Sequence, residues 1–317
     1  MKQDPKALGR WLRCRDAVPI KGVLGPQGIL DTPEQIASGI KTFWDFFGGQ
    51  NQHVDCDEIA HRLRAHAHVP QQNIDWAAPS LELLVSVFRA ADGAAGGDGF
   101  AGRKLRHLPE PAISFFRQLA LQWQEHGCTP SVFAHTRMVN FGKPGKVSAE
   151  RILPLEGCRP ISVLTSFWRL RGTAWMRPPS VQGWMGTLPQ SVVAGKGSES
   201  LLTAAHVFAA LSRQRYAGSL DFTKCYDLMV PRGTAALLEA GGWPQGLVRV
   251  ITHMWQHQQR WVSWESHTHP DTLQAGTCVP QGCSFGPLAL AAWMTAGLRA
   301  TTHPVNRCSA GLYGRSY

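Results

Sequence analysis

Paired cysteines, long apolar runs and acidic side chains are what this sequence has too little of. Its eight cysteines, at positions 14, 56, 128, 158, 225, 278, 283 and 308, form no CxxC pair in 317 residues. That pattern argues against a zinc ribbon or a disulfide framework and for reduced thiols. The longest apolar segment, PLALAAWMTAGL at 287–298, is too short to span a bilayer, and the start MKQDPKALGRWLRCRD has no apolar signal core. A soluble intracellular chain with no membrane partner is the expectation. Asp and Glu number 22 against 32 Lys and Arg, a net charge of +10. Such an excess favours a polyanionic partner, nucleic acid first, the alternative being a merely basic soluble protein.

Several catalytic signatures are also missing. GKPGK (142–146) and GKGS (195–198) do not fit GxxxxGK[ST], and no GxGxxG follows a strand, which argues against a nucleotide-binding P-loop. His253 and His257 stand four apart in HMWQH without the glutamate of HExxH, and read as a solvent-facing coincidence. No serine sits in GxSxG, so a serine hydrolase has no support.

What is present is an ordered series of helices and short strands, which predicts an α+β fold. Residues 1–30, rich in Gly, Pro and Arg, read as a loosely ordered lead-in. TPEQIASGIKTFWDFF predicts a helix from Thr32 to Gly48-Gly49, and SLELLVSVFRA another over 80–90 with Ser80 as its cap. DGAAGGDGF (92–100) is too glycine-rich for a helix interior, and PEPAISFFRQLALQWQEHG (109–127) predicts an amphipathic helix stopped at Gly127. Strands are expected in TRMVNFGKPGK (136–146), before a basic turn, and in CRPISVLTSFWRL (158–170), before a helix. Further helices are expected over 198–213, near 231–240 and at the end of GTCVPQGCSFGPLALAAWM (276–294). The twelve scattered tryptophans read as packing residues.

YAGSLDF (216–222) reads as a strand ending on Asp221. A carboxylate there suits Mg²⁺, a hard ion that prefers oxygen ligands, and GKPGK with Arg159 supplies positive charge upstream. Nucleotide addition needs such parts, because both the attacking hydroxyl and the leaving pyrophosphate carry developing negative charge. The alternatives are a helix cap for Asp221, a solvated turn for Lys143 and Lys146, and a core aromatic for Tyr226.

In chain order, six segments resemble the reverse transcriptase of non-LTR (LINE-type) retrotransposons, over roughly residues 80–294. AAGGDGF (94–100) resembles the family's PGPDGI, MVNFGKPGKV (138–147) its IPKPGK and CRPISVL (158–164) its YRPISLL. LPQSVVAGKGSESLL (188–202) resembles QyGFrkgrsT less faithfully. SLDFTKCYDLM (219–229) is similar to LDFSKAFDSV, and VPQGCSFGPLALA (279–291) to QGdpLSPllF.

The resemblance implies right-hand polymerase fingers and a partial palm behind a helical N-terminal lead-in. The divisions it suggests are an extension at 1–79, fingers and template-binding region at 80–215, and partial palm at 216–317. It implies Mg²⁺ (or Mn²⁺), deoxynucleoside triphosphates, an RNA template and a DNA primer. Asp221 would ligate both catalytic metals, helped by the Phe222 carbonyl, while Lys224 and Cys225 would offer backbone N–H groups to the triphosphate. Tyr226 would be the steric gate against a 2′-hydroxyl, and Asp227 a structural or capping acid. Arg159, with Lys143 or Lys146, would hold the triphosphate from the fingers, since guanidinium suits bidentate phosphate contact. Gln281 and Gly282 would lie near the nucleotide sugar and the template base.

The chain departs from the family in two places. The family's second palm motif, Tyr-x-Asp-Asp, has no counterpart, because no Asp or Glu follows Asp271. Within the QG motif Cys283 replaces an acid and Gly286 a serine. A fragment lacking that motif and the thumb, with little or no polymerase activity, is the expectation. The other readings are a group II intron-type maturase and a non-catalytic RNA- or DNA-binding remnant.

Overall fold

Helices and short strands interleave along the chain in the computed structural model, which describes residues 20–50, 55–66, 78–143, 145–187, 225–273 and 278–302. The mixed α+β class is as expected. Residues 20–30, however, are not a loose lead-in. Strand β1 (Gly22–Gly25) pairs antiparallel with β2 (Gly28–Leu30) around a turn in which Gly28 has φ 128°. The apolar runs VLG and IL on either side of Pro-Gln-Gly carry the hairpin signal that composition masked.

Helix α1 (Pro33–Gln50) starts as predicted, with Thr32 Oγ1 accepting the Gln35 N–H at 3.3 Å. Helix α2 (Cys56–His66) was not foreseen; Asp55 caps it by accepting from the Asp57 and Glu58 N–H groups at 3.0 and 2.9 Å. Helix α3 (Leu81–Arg89) is capped by Ser80, whose Oγ accepts from Leu83 N–H at 3.2 Å. After the glycine-rich loop come the short α4 (Gly102–Leu105) and then α5 (Glu110–His126), which ends at Gly127 in the left-handed region, φ 69°.

Strands β3 (His135–Gly142), β4 (Ile152–Pro154) and β5 (Cys158–Leu164) follow, then α6 (Ser166–Trp175) and α7 (Pro179–Thr187). The chain is next described at α8 (Cys225–Leu228), α9 (Pro231–Ala240) and α10 (Gln245–His257). It continues through β6 (Gln259–Trp264) and β7 (His267–Leu273) to α11 (Gly286–Thr302). The helix expected at 198–213 and the strand expected at 216–222 lie outside the described residues.

The larger sheet has the order β5-β3-β6-β7, with β3 antiparallel to β5 and parallel to β6. Strand β4 joins the other sheet, parallel to β1, so the N-terminal hairpin is sewn to the middle of the chain. Alternation sorts the larger sheet into two faces. Met138 and Val262 point inward and meet Ile36, Ala37, Ile40 and Trp44 of α1, forming one core cluster. A second, larger cluster gathers side chains of α3, α5, α6, α7, α9, α10 and α11. Eight of the ten tryptophans among the described residues are buried, so their role in packing is as expected. Each such aromatic contributes on the order of 2 kcal/mol or more by leaving water.

One buried side chain runs against this pattern. Arg171 is fully buried in α6, and none of its guanidinium nitrogens has a hydrogen-bond partner. It lies over the rings of Trp168 and Trp175, at 5.2 and 4.9 Å from their centroids. Loss of solvent brings its pKa down to about 9. No helix among the described residues is long and apolar enough to cross a membrane.

Candidate functional site

The basic turn after β3 is tight. The Lys143 N–H donates to the Gly157 carbonyl at 2.9 Å, and the Lys146 N–H returns to the Lys143 carbonyl at 3.1 Å. Gly145 supplies the positive φ, 73°, that this reversal needs. Sheet register places Phe141 opposite Arg159 and Gly142 opposite Cys158. Arg159 is therefore beside the turn, and three cations, Lys143, Lys146 and Arg159, cluster at one end of the β3–β5 ladder. Arg159 and Lys146 are exposed, Lys143 half-buried.

The QG turn meets the same ladder from its free edge. Strand β5 lies at the end of the sheet, and its Ser162 N–H donates to the Gln281 carbonyl at 2.7 Å. Gly282 follows with φ 114°, and a Cβ there would stand 2.5 Å from the Ser162 carbonyl oxygen. Only glycine lets the turn come this close. Gln281 and Gly282 are thus three residues along the strand from Arg159.

Tyr226 is tied to this turn as well. Its carbonyl accepts the Val279 N–H at 3.2 Å, and its ring lies 3.2 Å from where a Cβ on Gly286 would be. A side chain at 286 would press on that ring, which gives a steric reason for glycine where the resembled family has serine. The ring also packs against the larger core cluster, so Tyr226 serves packing whatever else it does.

Cys283, at the family's acidic position, is buried. The indole N–H groups of Trp168 and Trp255 donate to its Sγ at 3.5 and 3.4 Å. Burial pushes its thiol pKa up, with those two bonds opposing. A carboxylate here would be desolvated, whereas a neutral thiol fits the pocket.

Beneath the turn is a buried polar cluster that the sequence did not reveal. Arg260 donates to Gln258 Oε1 at 2.8 Å and to Cys278 Sγ at 3.2 Å, and Gln258 Nε2 donates to the Cys278 carbonyl at 3.2 Å. Burial raises the Cys278 thiol pKa most; the nearby Arg260 charge lowers it and the Asp227 charge adds to the rise. Asp227 is buried, in keeping with a structural acid. Arg260 carries no motif; only its place one residue into β6 gives it this role.

Glycines 96 and 97 explain the loop AAGGDGF. A Cβ at Gly96 would lie 2.1 Å from the Leu164 carbonyl, and one at Gly97 would lie 2.6 Å from that of His135. The loop thereby reaches the N-terminus of α6, where Asp98 Oδ2 accepts the Ser166 N–H at 2.6 Å. Thr165, the residue at the cap position, makes no side-chain cap bond, so Asp98 supplies it from outside the helix.

Asp221, Phe222 and Lys224 lie outside the described residues, and Cys225 opens α8 with its side chain likewise outside them. Among the described residues no group of three or more His, Cys, Asp or Glu side chains could hold a metal ion. The described part of the site therefore offers no ligand set for Mg²⁺, and no chemical step is derived through one. His253 and His257 are not merely solvent-facing. Their rings stack at 4.1 Å, and His253 Nδ1 accepts the Thr129 N–H at 3.4 Å. The His257 Nδ1–H donates to the His253 carbonyl at 2.9 Å.

The described residues bring together parts of five of the six quoted motifs: the AAGGDGF loop, the KPGK turn, the RPIS strand, the start of α8 and the QG turn. No protein-family model matches the sequence, and no curated protein matches it.

Proposed function

We propose that the chain is the fingers and part of the palm of a reverse transcriptase of the non-LTR retrotransposon type, an RNA-directed DNA polymerase domain. What supports this reading most is the Ser162–Gln281 hydrogen bond, which joins the RPIS strand to the QG turn beside three clustered cations. These two motifs are more than a hundred residues apart in sequence, and a shared site needs them side by side. In this reading Arg159, Lys143 and Lys146 hold a nucleoside triphosphate, Gln281 and Gly282 border its sugar, and Tyr226 limits its 2′ position. Lys224 and Cys225 would add backbone N–H groups, and Asp221 with the Phe222 carbonyl would bind Mg²⁺ or Mn²⁺ when present. An RNA template and a DNA primer are the macromolecular partners.

Equilibrium binding of a deoxynucleoside triphosphate to the chain on an RNA–DNA primer–template is the test. Arg159→Ala weakens it by roughly 10- to 100-fold, since a charged hydrogen bond of this kind is worth about 1.5–3 kcal/mol. Unchanged nucleotide affinity in Arg159→Ala removes the reading. Primer extension in Mg²⁺ stays at the level of an Asp221→Ala control, because the chain has no acid after Asp271 to complete a two-metal site.

The net charge of +10 also suits a second reading, a non-catalytic RNA- or DNA-binding remnant. It predicts nucleic-acid affinity that survives Asp221→Ala and shows no preference for added nucleotide.

A further inference from the structure

The histidines of HMWQH have no part in the nucleotide site, yet the fold arranges them as a pair. Helix α10 presents His253 and His257 one turn apart on one face, at its C-terminal end. Their rings stack at 4.1 Å between centroids and 22° between planes. His257 is exposed and His253 half-buried. Burial, then the neighbouring His257, holds His253 below the ordinary imidazole range, so its ring is neutral at pH 7.

Hydrogen bonds decide which ring nitrogens are left over. The His257 Nδ1–H donates to the His253 carbonyl at 2.9 Å, which leaves the lone pair of that ring on Nε2. His253 Nδ1 faces Thr129, 3.4 Å from its N–H and 3.3 Å from its hydroxyl. Among the described residues neither Nε2 has a partner. Thr129 is buried and firmly placed, because the chain leaving α5 runs alongside α10 in contacts one helical turn apart. A Cβ at Gly246 would stand 2.4 Å from the Gln124 carbonyl, and one at Gly127 would stand 3.0 Å from the Arg249 side chain. Imidazoles that ligate metals are held in this manner, with the second ring nitrogen tied to the protein and the first left open.

We propose that His253 and His257 chelate a divalent transition-metal ion through their Nε2 atoms, with Thr129 orienting His253 and water completing the coordination. Two imidazoles suit Ni²⁺, Cu²⁺ or Zn²⁺ and not Mg²⁺, which takes oxygen ligands. An ion about 2.0–2.1 Å from each nitrogen needs the two roughly 2.9–3.4 Å apart. Rings already stacked reach this by a small turn about χ2, a soft torsion. On binding, the His253 ring moves its hydrogen from Nε2 to Nδ1 and stays neutral, and the Thr129 hydroxyl accepts it. The end of α10 also favours a cation, since its carbonyls carry the negative pole of the helix. The ion pins the last turn of α10 directly before Gln258, whose side chain bonds the Trp255 and Cys278 carbonyls. No residue of the quoted motifs takes part, so the site stands apart from the polymerase reading.

The test is calorimetric titration of Ni²⁺ into the full chain, freed of metal with EDTA, together with thermal unfolding with and without Ni²⁺. Wild type shows a site that His257→Ala abolishes, and Ni²⁺ raises the unfolding midpoint of wild type but not of His257→Ala. Thr129→Val weakens binding by roughly 10- to 100-fold, the usual loss for a ligand's outer support. Thr129→Ser, which keeps the hydroxyl, retains the affinity. Excess Mg²⁺ does not displace Ni²⁺. Wild-type Ni²⁺ affinity in His257→Ala overturns the proposal, since the ion is then held elsewhere. Undiminished affinity in Thr129→Val also overturns it, leaving an adventitious surface chelate only, as does displacement by Mg²⁺.

Discussion

Ser162 and Gln281 meet backbone to backbone, N–H to carbonyl at 2.7 Å, on the outer edge of a strand that would otherwise end the sheet. The contact covers an exposed edge and fixes the QG turn with one bond. Gly282→Ala tests how much the site depends on it. The alanine combines a φ of 114° with a methyl group 2.5 Å from the Ser162 carbonyl. Stability falls by about 1–3 kcal/mol in urea unfolding, and nucleotide affinity falls with it. Normal stability together with normal affinity would show that the turn is free to move.

Arg171→Met stabilises the protein by about 1 kcal/mol or more, because methionine keeps the packing against Trp168 and Trp175 and removes an unpartnered buried charge. A pH signature separates this from ordinary repacking. The folded pKa, about 9, lies well below the ordinary arginine value, so between the two the unfolded chain binds more protons. Stability contributed by this site therefore rises with pH above about 9 in the wild type. The difference between wild type and Arg171→Met, followed by urea unfolding from pH 8 to 11, narrows as pH rises. A constant difference would mean that Arg171 stays charged by finding a partner.

Acid acts through His253. Burial, then the neighbouring His257, lowers its pKa from the ordinary 6.5, so the unfolded chain binds the proton more readily in the window just below that value. Stability from this group is present above pH 6.5 and is lost as pH falls through the lowered folded pKa. Protonation also ends the bond that Nδ1 accepts from the Thr129 N–H, leaving the Thr129 hydroxyl, at 3.3 Å, to receive the new N–H. Thermal unfolding from pH 7.5 to 5 shows a drop that His253→Gln flattens; an unchanged profile in the variant would clear His253 of the effect.

Asp98→Ala removes the cap on α6 and lowers stability by about 0.5–2 kcal/mol. Asp98→Asn keeps most of it, since an amide oxygen still accepts the Ser166 N–H. Equal losses in the two variants would point to the charge, through Arg169 nearby, in place of the cap.

Where local chemistry decides an element, the residues announced it. Ser80 and Gly127 mark helix ends that the structure reproduces within a residue, and the helix expected near 231–240 is α9. Helix α10 was not among the expected helices, although Leu247, Val248, Ile251, Met254 and Trp255 repeat at helical spacing. The β6–β7 hairpin gave less warning: its turn puts Glu265 at φ 51°, a position where glycine or asparagine is the usual cue. The cation cluster around Arg159 and the QG contact with β5 depend on register between distant strands. Motif order hinted at them and no local pattern could. Arg260 and Asp98 were invisible as site supports, since a capping or buried polar role is set by what folds against the residue.

The parallel pairing of β3 with β6 has a consequence for the chain as it is made. Residues 143–258 must be synthesised before β3 gains its second neighbour, so a strand rich in apolar side chains waits with one edge unpaired. Parallel pairings of such sequence separation form slowly, and an open edge is where chains pair with the wrong partner. Arg137, in mid-strand, is placed to discourage that during the wait. A nascent chain that stops before Trp264 would carry this edge indefinitely, and aggregation is its expected fate.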